Sequence, residues 1–125
     1  MFVIDGHLAG ANEYINSCRS NRYKANKLKK DNQKLVHKGL LKAILKGSLQ
    51  KIDKYPCKLK ITWYEPNKRR DVDNVTFGVK FILDEMVSCG ILKDDSQKYV
   101  NQITNSVYCD TENPRIEVRI LFDEL

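Results

Sequence analysis

The spacing of apolar residues changes along this chain, and each change marks an element. Met1 to Asp5 is short, apolar and β-prone and closes on the turn pair Asp5-Gly6, which predicts a first strand. Gly6 to Asn21 mixes Gly, Asn and Ser and reads as an irregular loop. Within it Asn12, Glu13 and Tyr14 either face a ligand or are simply solvated. A long helix is predicted from Ser20 or Asn21, either of which can cap it, to about Gly47. Leu28, Leu35, Val36, Leu40, Ala43 and Ile44 fall near helical spacing and should face the core, and Gly39 is a weak point that allows a bend.

After a turn-rich connection from Lys51 to Pro56, Cys57 to Tyr64 alternates and predicts a half-buried strand with Leu59, Ile61 and Trp63 inward. Trp63 reads as core rather than as a platform for stacking bases. A second helix should start near Asp73 or Asn74, bury Val75, Val79, Ile82, Leu83 and Met86, and end at Cys89-Gly90. Lys98 to Asp110 and Arg115 to Phe122 read as two more strands joined by a turn over 110–114. The second of them sets Ile116, Val118, Ile120 and Phe122 to one side, with Glu117 and Arg119 to the other. The order is β-α-β-α-β-β: one small α/β (α+β) domain over residues 1–125, a mixed sheet packed with helices.

Composition narrows the function. No apolar run approaches the roughly 18 residues that span a bilayer, and MFVIDGHLAG lacks the pattern of a signal peptide. Cys18, Cys57, Cys89 and Cys109 are widely spaced and form no C-x-x-C pair, so they read as thiols of a reducing cytoplasm. His7 and His37 each stand alone, which argues against a zinc site. The net charge of +6 is unevenly distributed: Arg19 to Lys51 holds 11 Lys or Arg and one acid, Asp31. Lys30, Lys34, Lys38, Lys42 and Lys46 recur every four residues as a slowly winding stripe. Their repulsion, tenths of a kcal/mol per pair, is tolerable if phosphates neutralise them. Nucleic acid suits such an arm better than an anionic membrane, because no strongly apolar face accompanies the lysines. A merely solvated lysine face is the alternative.

Candidate chemistry concentrates between Lys68 and Gln97. Lys68, Arg69 and Arg70 precede Asp71 and Asp73, and a second acidic pair, Asp94-Asp95, follows the helix. Carboxylates beside a basic run suit a protein that holds Mg²⁺ or Mn²⁺ together with a polyanion, since these ions take oxygen ligands and phosphate oxygens alike. On extended backbone Asp71 and Asp73 would share one face, though Asp73 can equally serve as an N-cap. Lys80, seven residues after Asp73, lies two turns on and close to the same face. The reaction implied is metal-dependent cleavage of a phosphodiester.

The stretch Arg69-Arg70-Asp71-Val72-Asp73-Asn74, then Lys80 to Asp84, Gly90 and Asp94-Asp95-Ser96-Gln97 resembles the RusA-type Holliday-junction resolvases of bacteria and their phages. Leu8 to Lys30 also looks like the N-terminal region of phage-borne members. The resemblance implies essential carboxylates at Asp71, Asp73 and Asp95. The family's lysine sits four residues after the second aspartate, where this chain has Phe77; Lys80 takes its place if three residues are inserted. Further implications are a RusA-like fold, Mg²⁺ (or Mn²⁺) as cofactor, a homodimer, and paired nicks in a four-way DNA junction during recombination or repair, in a bacterial cytoplasm. Lys68, Arg69, Arg70, Arg22, Lys27, Lys30 and Lys34 would grip the DNA backbone without reading sequence. The alternatives are a non-catalytic nucleic-acid-binding protein on the same scaffold, and a metal nuclease acting on flaps or plain duplex.

Overall fold

Strand β2 (Cys57–Glu65) organises the sheet, burying Cys57, Leu59, Ile61, Trp63 and Glu65 while the residues between them stay partly open. The computed structural model describes residues 1–123. Ahead of β2 come β1 (Phe2–Asp5), α1 (Ala11–Ser20) and α2 (Arg22–Lys46). After it come α3 (Val72–Thr76), α4 (Val79–Ser88), β3 (Val100–Cys109) and β4 (Arg115–Phe122). The sheet order is β1-β4-β2-β3, with β2 parallel to β3 and antiparallel to β4. The mixed α+β sheet is as the sequence predicts, and two more helices enter the order.

The last two strands do not pair with each other, because β2 lies between them. Their connection crosses the end of β2, where the Asp110 amide donates to the Glu65 carbonyl at 2.8 Å. Arg115 fastens the far side: its guanidinium donates to Asp110 and Glu117 and lies 3.9 Å from the Tyr64 ring centre.

Helix α2 begins and ends as its sequence dictates. Asn21 accepts from the Lys24 amide at 2.8 Å, and Gly47 closes the helix with φ +78°, which glycine adopts without steric cost. Its buried face is Asn32, Val36, Gly39, Leu40 and Ala43. Leu35 and Ile44, expected in the core, are 38% and 39% exposed. Each lies one residue, about 100° around the helix, from the line that meets the sheet. Gly39 introduces a close approach instead of a bend. A Cβ there would stand far inside contact with the Val3 carbonyl oxygen and 3.2 Å from its carbon, so the missing side chain is what lets α2 lie on β1.

Two predicted elements also differ from those found. Residues 11–20, expected as loop, form α1, which buries no residue fully and is held by what its start and its Tyr14 touch. Tyr14 packs 5.3 Å from the Phe77 ring and 6.3 Å from Phe81. The helix expected from Asp73 or Asn74 starts at Val72 and breaks at Phe77-Gly78, where the bonds tighten to i→i+3: Lys80 to Phe77 and Phe81 to Gly78, both 3.1 Å. A Cβ on Gly78 would stand 3.0 Å from the Trp63 ring, so glycine lets the chain turn directly above it.

Candidate functional site

The acidic stretch is built on the corner between β2 and α3. Asp71 is the N-cap of α3, in extended conformation (φ −69°, ψ 157°), but its carboxylate makes no capping bond. Asp73 sits in the first turn of the same helix, and both side chains are exposed. Asn74 faces inward: its Oδ1 accepts from the Asn12 amide at 3.0 Å and lies against Gly10, so the D-x-D-N corner also holds the start of α1.

Arg70, expected on the DNA, is turned inward. Its Nε donates to Glu65 Oε1 at 3.0 Å, Nη2 pairs with the same oxygen, and Nη1 donates to the Leu8 carbonyl at 3.1 Å. Glu13 approaches Nη1 at 3.5 Å. The Glu65 side chain is 5% exposed, and its second oxygen is buried without a hydrogen-bond partner. Arg70 is therefore the counter-ion of a buried carboxylate and ties β2, α1 and the Asp71 corner together. Sequence reasoning missed Glu65, although a signal existed: it continues the inward series 57, 59, 61, 63. Lys68 and Arg69 remain exposed beside the corner.

Asp95 follows α4 and is exposed. It lines a cleft with Lys29 and Gln33 of α2 and Asp84, Val87 and Ser88 of α4. The loop that carries it is pinned by the Tyr55 hydroxyl, which accepts from the Lys93 amide at 3.0 Å, and by the edge-on Tyr55–Tyr99 pair. Asp84 joins Asp95 in this cleft; its charge, behind the larger influences of Cys18 and burial, helps hold the Tyr14 phenol above its ordinary pKa. Lys80 is exposed in the first turn of α4. The carboxylate oxygens of Asp71, Asp73 and Asp95 do not all lie within 4.8 Å of one another. Among the described residues, the only group of three whose donor atoms all lie within 4.8 Å of one another is His37, Glu85 and Cys89. Three carboxylates repel one another unless a cation lies between them.

The donors nonetheless suit a hard cation. Among the described residues Asp71, Asp73, Asp94 and Asp95 make no ion pair, although three cations precede the first of them, so their oxygens are free to ligate. On α2 the stripe winds as its spacing requires. Lys30, Lys34 and Lys38 line a groove beside α4, whereas Lys42 and Lys46 line one beside β1. Arg22 is exposed at the first turn of α2, and Lys27 pairs with Asp31 at 3.0 Å.

A family model described as Endodeoxyribonuclease RusA matches residues 11–121, from the start of α1 almost to the end of β4. The chain belongs to the RusA endodeoxyribonuclease family. Membership assigns it a Holliday-junction resolvase nuclease activity with branched DNA as partner. No curated protein matches the chain. None of its helices in the described residues is long and apolar enough to cross a membrane.

Proposed function

We propose that this RusA nuclease resolves four-way DNA junctions by Mg²⁺-dependent paired nicks, acting as a homodimer in the cytoplasm during recombination or repair. The observation that carries the reading is the pair of exposed, unpaired carboxylates at the head of α3, directly after the exposed Lys68 and Arg69. Asp71 and Asp73 hold the ion, with Asp95 as third ligand once the cation offsets the mutual repulsion of the three carboxylates; the bound ion would supply Lewis-acid polarisation of the phosphate and a more acidic water. Lys80 offsets charge that builds on the phosphate oxygens during cleavage. Lys68, Arg69, Arg22, Lys30 and Lys34 hold flanking backbone, and Arg70 keeps the Asp71 corner in place. Two symmetry-related cuts need two equivalent sites, and a C₂ homodimer supplies them.

A synthetic four-way junction and a linear duplex of matched sequence, each with and without Mg²⁺, test this reading. Junction cleavage that needs the metal is expected. Asp71→Asn, Asp73→Asn and Asp95→Asn should each abolish it while junction binding persists, because a carboxamide is a poor hard-metal ligand of nearly the same volume. Normal cleavage by one variant removes that residue from the site. Binding without cleavage at any metal concentration favours a non-catalytic protein, and equal cutting of the duplex favours a different metal nuclease.

A further inference from the structure

Where α2 packs on α4, the two helices bring together three side chains that the nuclease reading does not use. His37 Nδ1 lies 3.0 Å from Glu85 Oε1 and 3.2 Å from Cys89 Sγ, and Cys89 Sγ lies 3.4 Å from the same Glu85 oxygen. Glu85 and Cys89 are four residues apart at the C-terminal end of α4, so they share one face, and His37 meets them from α2. The Glu85 side chain is 12% exposed and the His37 ring 54%, so the group is walled on the protein side and open on the other.

Hydrogen bonds can bridge at most two edges of this triangle. With neutral or charged imidazole, Nδ1 offers at most one proton to it and the thiol offers one, while the carboxylate only accepts. Two protons can bridge two of the three edges. The third edge then has no proton of its own. A cation above the triangle satisfies all three donors at once.

We propose that His37 Nδ1, Glu85 Oε1 and Cys89 Sγ bind a borderline-soft divalent cation, Zn²⁺ or its analogue Co²⁺, at a second metal site distinct from the hard-ion aspartates. Nitrogen, oxygen and thiolate sulfur are the zinc donor set, and three protein ligands leave a fourth position for water. Tetrahedral ligands about 2.0–2.3 Å from zinc stand roughly 3.3–3.6 Å apart. The observed triangle therefore has to widen by only a few tenths of an ångström, and the ion sits on its open side. Binding releases the thiol proton to solvent, and the resulting thiolate and carboxylate balance the divalent charge. The C-terminal end of α4 adds its negative dipole, which favours a cation there. Lys30, Lys34 and Lys38 line the same groove as His37 and Glu85 and oppose a cation, but all three lysines are exposed, so solvent and salt screen them. Once bound, the ion staples the lysine-bearing helix to α4.

Titration of the full, metal-stripped chain with Co²⁺ tests the site without reference to nuclease activity. Expected is one cobalt per chain with a thiolate-to-cobalt charge-transfer band. The band should be absent in Cys89→Ser and present in Cys57→Ser and Cys109→Ser. His37→Ala and Glu85→Gln should bind at least about tenfold more weakly, as even loss of an outer-shell partner does at metal sites. The band should persist in the Asp71→Asn/Asp73→Asn double variant, which separates this site from the nuclease centre. Zn²⁺ should displace the cobalt and raise the melting temperature of the wild type. Since the wild type alone suffices for the first reading, a variant that folds poorly does not shelter the proposal. Cobalt bound without the band, no binding with cobalt in excess, or a band that survives Cys89→Ser would each overturn it.

Discussion

Removing the Arg70 guanidinium should unfold the corner that presents Asp71, and the effect should appear as lost stability, separate from DNA contact. In Arg70→Ala the Glu65 carboxylate, 5% exposed, loses its only cation within a short hydrogen bond, and the Leu8 carbonyl loses a donor. Breaking a buried pair by deleting one partner costs roughly 3–5 kcal/mol, because the survivor is left charged in a poor dielectric. For a chain of this size that corresponds to a fall in melting temperature of roughly 10–25 °C. Trp63 is the sole tryptophan and is 1% exposed, so its fluorescence during urea unfolding reads core stability directly. Arg69→Ala, one residue earlier and exposed, should stay within about 0.5 kcal/mol of the wild type while weakening junction binding. Replacing both partners, Glu65→Gln with Arg70→Met, should recover most of the loss, since no isolated charge remains. A loss below about 1 kcal/mol in Arg70→Ala would mean that the pair is an ordinary surface ion pair and that Arg70 is free to serve the DNA.

Other outcomes follow from the same structure. Gly39→Ala should destabilise by about 1–3 kcal/mol by overpacking against the Val3 carbonyl, although alanine favours helix by about 1 kcal/mol over glycine; a more stable variant in the same urea assay would show that α2 does not seat on β1. Lys30→Glu with Lys34→Glu should weaken binding to junction and duplex alike and lower the salt slope by about 2. An unchanged slope in filter binding from low to moderate salt would take the stripe off the DNA. Light scattering at micromolar concentration should give twice the 14.5 kDa chain mass, and a monomer both free and junction-bound would contradict paired nicking.

Local patterns made much of the fold legible. Alternation in β2 and β4, the Asn21 cap, Gly47 and the apolar series in α4 are written in neighbouring residues, because strand and helix periods and turn chemistry act over a few positions. The acids and cations of the corner were legible for the same reason, as residue types at short spacing. Helix α1 was not, since it buries no residue fully and rests on partners as distant as Asn74 and Phe77. Leu35 and Ile44 likewise have helical spacing, but which arc of α2 meets the sheet is settled by where β1 lies.

What the chain could determine by itself was therefore period, capping and charge, together with the acid-rich motif of a RusA nuclease. The tertiary structure alone decided which charges remain available. It turned Arg70 inward onto Glu65, placed Asp95 in a cleft with Asp84 and Lys29, and set β2 between two strands that are adjacent in sequence. His37 stands alone in the sequence, 48 residues from Glu85 and 52 from Cys89. The packing of α2 against α4 brings the three together. Sequence spacing fixes neighbours on one helix, whereas contacts between helices depend on how their faces dock, and no local pattern carries that information.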